Sequence, residues 1–269
     1  MKIVVAGGSG LVGSKLVARL RARGYDVTAA SRRSGVDTVT GQGLDAALAG
    51  AHTVVDVTNA PVFDEPDVTE FFRRSSENLL AAGARAGVSH HLALSVVGTQ
   101  RLQTSGYFRA KDVQERLVAR SGVPHTLVQA TQFFEFMANI IPPGSGKDIV
   151  HLSPSLVQPV AADDVADQLA ELVVAPPSPG IVEIAGPETY RLCELVQWVM
   201  YSYQDDRPVV ADETARYYDG ILDDRTLTPG PGALIAKTHF RDWLQGYLSG
   251  SIEIPHVHHP DPLARGRVS

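Results

Sequence analysis

Short apolar runs rich in β-branched residues recur through the first half of the chain, at Ile3 to Ala6, Val27 to Ala30, Thr53 to Val57, His91 to Val97 and Thr126 to Ala130. Unbroken runs of this kind suit strands buried on both faces, as in a parallel sheet. Parallel strands need long crossovers, and the segments between the runs supply them as helices: Leu11 to Arg23, Val68 to Ala86 and Tyr107 to Ser121. Gly24, Gly87 and Gly122 each follow a helical stretch and precede a strand, where a residue tolerant of positive φ closes the helix. The pattern predicts an α/β fold with an open, doubly wound parallel sheet. Its ligand crevice would lie outside the carboxyl ends of the strands.

After Ala130 the alternation loosens. Phe133, Phe134, Phe136 and Met137 lead into Pro142-Pro143-Gly144, and Ala161 to Val174 reads as a helix. Pro176-Pro177-Ser178-Pro179-Gly180 marks a loop, Ile181 to Ala185 a strand and Leu192 to Tyr203 a helix, with a last helix at Phe240-Arg241-Asp242-Trp243-Leu244. The expected organisation is a nucleotide-binding core over 1–132 and a mixed region over 133–250. That region adds later sheet elements and a smaller, discontinuous substrate-capping part. Residues 251–269, with Pro255, Pro260 and Pro262, read as an extended tail, mobile or pinned by a neighbouring subunit.

Composition narrows the picture. At 269 residues, 44% hydrophobic and 20% charged, the chain can bury a full core and is unlike disordered or fibrous sequences. A net charge of -6 and no basic patch argue against nucleic-acid partners. The only cysteine, Cys193, has no partner thiol, which fits a reducing cytoplasm. Gly7-Gly8 interrupts the first apolar run before it reaches signal-peptide length, and no segment has the length of a membrane span. The expectation is a cytoplasmic monomer or homodimer that acts on a small molecule.

The candidate chemistry begins at Gly7-Gly8-Ser9-Gly10-Leu11-Val12-Gly13, between the first strand and first helix. This is the setting a dinucleotide fingerprint requires: a tight turn, a bare backbone where pyrophosphate approaches, and close packing of helix on sheet. Either Gly7 or Gly8 can be the first glycine of the motif. Where an NAD-selective protein usually carries a carboxylate, at the end of the second strand, stand Ser31, Arg32 and Arg33. A guanidinium there pairs with a 2′-phosphate, so NADP(H) is the expected cofactor.

Tyr107 and Lys111 lie four apart at the start of a predicted helix and share a face. The charged face would carry Arg109, Asp112, Arg116 and Arg120, and the buried stripe Ala110, Val113 and Leu117. An ammonium beside a phenol lowers a pKa of about 10 and makes a proton donor for carbonyl reduction. Alternatively, Lys111 pairs with Glu115 one turn on. Ser95 ends the predicted fourth strand, where its hydroxyl could orient a substrate carbonyl; Thr99 is a rival. Asn59 follows the third strand as a cofactor contact or a simple turn residue. Gln132, Phe133 and Phe134 follow the fifth and either wall a pocket for an aromatic or polyketide-like substrate or belong to the core.

These stretches, with Leu94-Ser95-Val96-Val97-Gly98, Gly106-Tyr107-Phe108-Arg109-Ala110-Lys111, Ala130-Thr131-Gln132-Phe133-Phe134-Glu135-Phe136 and Gln158 to Ala166, resemble the short-chain dehydrogenase/reductase superfamily in its atypical NmrA-like branch. The resemblance runs to about Leu244. It implies a Rossmann fold, NADP(H) on the glycine loop, Tyr107 as proton donor, Lys111 also holding the nicotinamide ribose, and Ser95 orienting substrate. Gln129 stands where similar sequences often have arginine. The implied activity is hydride transfer to or from a carbonyl, quinone or activated alkene. The same branch includes nucleotide-sensing regulators, and the scaffold also admits a non-redox isomerase or cyclase. His256, His258 and His259 sit in the proline-broken tail without a rigid companion ligand, so no metal site is expected.

Overall fold

The computed structural model describes residues 1–141, 148–178 and 180–252. Its first half alternates as the apolar pattern requires: β1 (Lys2–Ala6), α1 (Leu11–Ala22), β2 (Asp26–Ala30), α2 (Leu44–Leu48), β3 (Thr53–Asp56), α3 (Asp67–Ala86), β4 (His90–Val96), α4 (Gly106–Arg120) and β5 (His125–Ala130). The second half comprises β6 (Val150–Leu152), β7 (Leu156–Val157), α5 (Ala162–Leu172), β8 (Ile181–Ala185), β9 (Tyr190–Arg191) and α6 (Leu192–Ser202). It continues through β10 (Val209–Ala211), β11 (Arg216–Tyr217), β12 (Gly220–Ile221), β13 (Leu234–Ile235) and α7 (Phe240–Leu248).

Seven strands form one parallel sheet in the order β13-β8-β5-β4-β3-β1-β2. Succession reverses between β1 and β3, and the carboxyl ends at such a switch point open a crevice. Both faces are covered. On one, Ile3, Leu92 and Val128 pack with Leu16 of α1 and Leu169 of α5; on the other, Val4 and Val54 pack with Leu44, Leu48 and Leu79 of α2 and α3. This is a doubly wound, Rossmann-like α/β fold. Helices end where the sequence placed glycines: Gly24, Gly87 and Gly122 all have positive φ.

A further apolar cluster, including Leu195, Phe240 and Trp243, lies among the later elements. Glu135 ties those elements to the sheet: its buried carboxyl accepts the Ala162 amide at the start of α5, and burial pushes its pKa up to about 7. Pro142-Pro143-Gly144, Pro179 and the tail with His256, His258 and His259 lie outside the described residues. Among the described residues no helix is long and apolar enough to cross a membrane.

Candidate active site

The turn after β1 is built from four glycines with different jobs. Gly7 holds φ +79°, and a Cβ there would meet the Val57 carbonyl oxygen at 2.7 Å. Gly7, not Gly8, therefore makes the first turn of the motif. A Cβ on Gly13 would lie 2.2 Å from the Gly7 carbonyl oxygen, so this glycine lets α1 sit directly on the loop. Gly10 meets only that same oxygen, at 3.3 Å, and otherwise faces open space. It also starts α1 without any side-chain cap, leaving the first-turn amides of Leu11 and Val12 aimed out of the helix.

Those residues line one end of a cavity of about 1290 Å³ that runs over the carboxyl ends of the strands. Gly7, Ser9, Gly10, Leu11 and Val12 reach it, whereas Gly8 and Gly13 do not. Gly8 is packed beneath the loop, where a Cβ would stand 2.8 Å from the Ala29 Cα. The expected contact of Gly8 and Gly13 with cofactor thus becomes a packing role. Arg32, Arg33 and Asn59 line the same cavity. Both arginines are exposed, and neither pairs with a carboxylate among the described residues; Arg33 touches only the Ser9 carbonyl, at 3.3 Å.

Further along, Ser95, Tyr107 and Lys111 line the cavity together, Ser95 from β4 and the other two from α4. Lys111 does not pair with Glu115. Its ammonium donates to the Leu94 carbonyl oxygen at 2.9 Å and to Gln114 Oε1, and stands 4.4 Å from the centre of the Phe72 ring. Gln114 in turn donates to Asp56 at 2.9 Å. Burial pulls the Lys111 pKa down to about 8, opposed by the charges of Asp56 and Glu115. Tyr107 departs from the expected direction. Burial, and then neighbouring Tyr218, push its hydroxyl well above the usual phenol range, and the Lys111 ammonium donates to Leu94 and Gln114 instead.

Glu115 has other partners. It accepts from the Ser95 hydroxyl, from Gln100 Nε2 at 2.5 Å and from Gln129 Nε2 at 2.9 Å. Gln129 thus anchors the carboxylate where an arginine would form an ion pair. Thr99 joins the cluster, 3.3 Å from Ser95 Oγ. The buried face of α4 consequently differs from the predicted stripe: Lys111, Asp112, Gln114 and Glu115 are buried, and Val113 and Leu117 only partly so. Paired polar groups can be buried without large cost, and the apolar count on a helical wheel cannot reveal their partners.

The remaining wall divides the three residues after β5. Gln132 and Phe133 line the cavity. Phe134 does not: it is 2% exposed, packed 5.0 Å from Phe240 and 5.5 Å from Trp243 between ring centres, so its expected place in a substrate pocket is corrected to the core. Neither side-chain polar atom of buried Gln132 has a partner, and the hydroxyls of Ser105 and Thr131, also on the cavity, are likewise unpaired. Unpaired buried donors and acceptors on a cavity are groups a ligand can satisfy. Nothing in the sequence pattern singles out Phe63 and Tyr218, whose rings meet Tyr107 from two distant loops, or Tyr217, which packs against Tyr218. The nearest signal was Asp56, an isolated carboxylate ending an apolar strand.

Residues 3–97 match the model of the NAD dependent epimerase/dehydratase family. The match ends at the carboxyl end of β4, before Tyr107. Among solved structures, the chain is similar to a Bacillus anthracis dTDP-4-dehydrorhamnose reductase in complex with NADP (12% identity, 93% of this chain and 99% of that one, TM-score 0.68). It is also similar to the Bordetella bronchiseptica enzyme WbmG in complex with NAD (18% identity, 93% of each chain, TM-score 0.67). A third is an Agrobacterium tumefaciens short-chain dehydrogenase/reductase superfamily protein with bound NAD (17% identity, 93% of this chain and 97% of that one, TM-score 0.69). At these identities the likeness is one of fold. Among curated proteins no match was found.

Proposed function

We propose that the chain is an NADP(H)-dependent oxidoreductase of the short-chain type that reduces or oxidises a carbonyl, quinone or activated alkene of a small molecule. One observation carries the reading: a single cavity joins the uncapped amides of α1 to Ser95, Tyr107, Lys111 and the unpaired amide of Gln132. The site fits a dinucleotide because the space beside Gly10, on the cavity, is open, while Gly7 and Gly13 let the loop and α1 close up behind it. The Leu11 and Val12 amides would hold the pyrophosphate, Arg32 and Arg33 a 2′-phosphate, and Asn59 and Lys111 the ribose side. The bound cofactor would supply or accept hydride.

The protein's part is then acid–base and positional. Tyr107 keeps its proton at neutral pH, since burial raises its pKa, and gives it to a substrate oxygen on which negative charge develops. Ser95, held by Glu115, and the Gln132 amide orient that oxygen. The Lys111 ammonium is held by the Leu94 carbonyl and Gln114, and its charge acts on the ribose side. Within the superfamily we assign the NmrA-like branch, on the residues 94–98, 106–111 and 130–136, and a cytoplasmic setting.

Tyr107→Phe keeps the ring and removes the proton. Turnover of NADPH with a quinone and ketone panel should fall at least 100-fold, with NADPH affinity unchanged, in line with the usual worth of a general acid of about 10²–10⁴. Undiminished kcat would remove Tyr107 from the chemistry. A second reading, a nucleotide-responsive regulator without turnover, draws on the internal partners that occupy Ser95 and Lys111. It predicts tight NADPH binding with no oxidation of NADPH by any member of the panel.

A further inference from the structure

The aromatic end of the cavity is closed by a hairpin whose backbone is unusual. Arg216 pairs with Ile221 and Tyr217 with Gly220, which leaves Tyr218 and Asp219 as a two-residue turn with φ of 45° and 68°. Two successive positive φ angles make the primed turn that normally carries Asn-Gly. A tyrosine is a poor occupant, because a bulky side chain clashes with its own backbone there. Neighbours impose the conformation: Tyr217 is buried against Phe108, Arg216 Nη1 donates to the Asp219 carbonyl oxygen at 2.8 Å, and Gly220 sits so close to Leu102 that a Cβ would meet it at 2.4 Å.

The strain holds one ring in a useful place. Tyr218 is 40% exposed, lines the cavity, and stands 6.0 Å from Tyr107 with the planes only 33° apart. Phe63, from the loop after β3, meets both rings edge-on, at 5.2 Å from Tyr107 and 6.0 Å from Tyr218. The charges around this end do not suit an anion. Asp64, Glu65 and Asp219 line it, Arg109 is paired with Glu65 and also donates to the Gln103 carbonyl, and Arg216 donates from Nη1 to the Asp219 carbonyl of its own turn. A diphosphate would meet three carboxylates, one of them paired with Arg109, against the guanidinium of Arg216.

We propose that Tyr218 is the specificity-determining residue of the substrate end: with Phe63 it forms an aromatic slot over Tyr107 that takes a flat, uncharged aromatic carbonyl compound and rejects a nucleoside-diphosphate sugar. This deepens the oxidoreductase reading and rests on it for the role of Tyr107. The half-exposed ring gains its stacking only when a planar ligand covers it. Sustained backbone strain at a ligand-facing ring is what a binding role, rather than a packing role, requires.

Tyr218→Asn separates the two roles, since asparagine tolerates positive φ and should leave the melting temperature equal or higher. The probe is 9,10-phenanthrenequinone, titrated by calorimetry into the whole protein with and without saturating NADP⁺, so that no turnover is needed. Expected is a dissociation constant raised at least tenfold in Tyr218→Asn and within twofold of wild type in Tyr218→Phe, with NADP⁺ affinity constant in both. UDP-glucose at millimolar concentration should not displace the quinone. Equal quinone affinity in Tyr218→Asn, displacement by UDP-glucose, or no binding of quinone to the wild type would overturn the slot. Quinone binding that follows this pattern without any NADPH oxidation would leave the slot standing and sink the oxidoreductase reading instead.

Discussion

The two ends of the cavity are made in opposite ways. The nucleotide end is mostly backbone: seven consecutive residues, Gly7 to Gly13, shape it, and four of them work by having no side chain. The substrate end is mostly side chains, gathered from the loop after β3, from α4, from the residues after β5 and from the β11–β12 hairpin. Backbone sites need local geometry and leave a local signature; side-chain sites need tertiary packing and leave a partial one, Tyr107 and Lys111 but not Phe63 and Tyr218. The first end should therefore fail through folding and the second through selectivity.

The largest effect is expected at Gly13. Its Cβ would meet backbone, the Gly7 carbonyl oxygen at 2.2 Å, and no side chain can move aside to relieve it. Gly13→Ala should cost about 3 kcal/mol or more by strain and displacement of α1, read as a lower urea midpoint. NADPH binding should fail with it. Gly10→Ala, whose Cβ has 3.3 Å to the same oxygen, should fold normally. A Gly13→Ala protein of native stability would break the backbone account of this end.

The same contrast explains what the sequence disclosed. The strands and first three long helices were legible because buried parallel strands read as continuous apolar runs and glycines mark helix ends. Tyr107 and Lys111 were legible as a pair by their spacing, and the structure puts both on the cavity. The direction of the Tyr107 pKa was not, because burial sets it, together with Tyr218 brought in from a distant hairpin. Phe134 shares its composition with Phe133 and lies on the other side of the chain, a distinction made by Phe240 and Trp243 far along the sequence. Tyr218 was invisible because nothing in its neighbours, Tyr217 and Asp219, spells a turn with two positive φ angles.

A third region calibrates the comparison, since its residues do not line the cavity. His90 and His91 begin β4, and burial lowers the pKa of both, that of His91 to about 4. His91 Nε2 has no hydrogen-bond partner. In the unfolded chain these imidazoles take up protons near their ordinary value of about 6.5, while the folded protein resists. Their contribution is therefore fully present above pH 6.5 and is lost as pH falls toward 4. His91 alone should account for roughly 2–3 kcal/mol across that window. Urea midpoints between pH 7.5 and 5 should fall for the wild type and flatten in His91→Gln, with NADPH affinity at pH 7.5 unaltered. A wild-type profile flat over this range would show that the buried imidazoles do not charge on unfolding.

The smallest effect tests whether any side chain matters at the backbone end. Arg32 and Arg33 are exposed, unpaired with carboxylates and next to the cavity, so removing either leaves no buried charge behind and should not alter stability. Each guanidinium that pairs with a 2′-phosphate contributes a charge-assisted hydrogen bond, weakened by solvent, of about 1–1.5 kcal/mol. Arg32→Ala and Arg33→Ala should each weaken NADPH binding about tenfold by fluorescence titration and leave NADH binding unchanged. If both variants lose NADH and NADPH equally, the arginines serve the pyrophosphate or the loop, and selection for the 2′-phosphate falls.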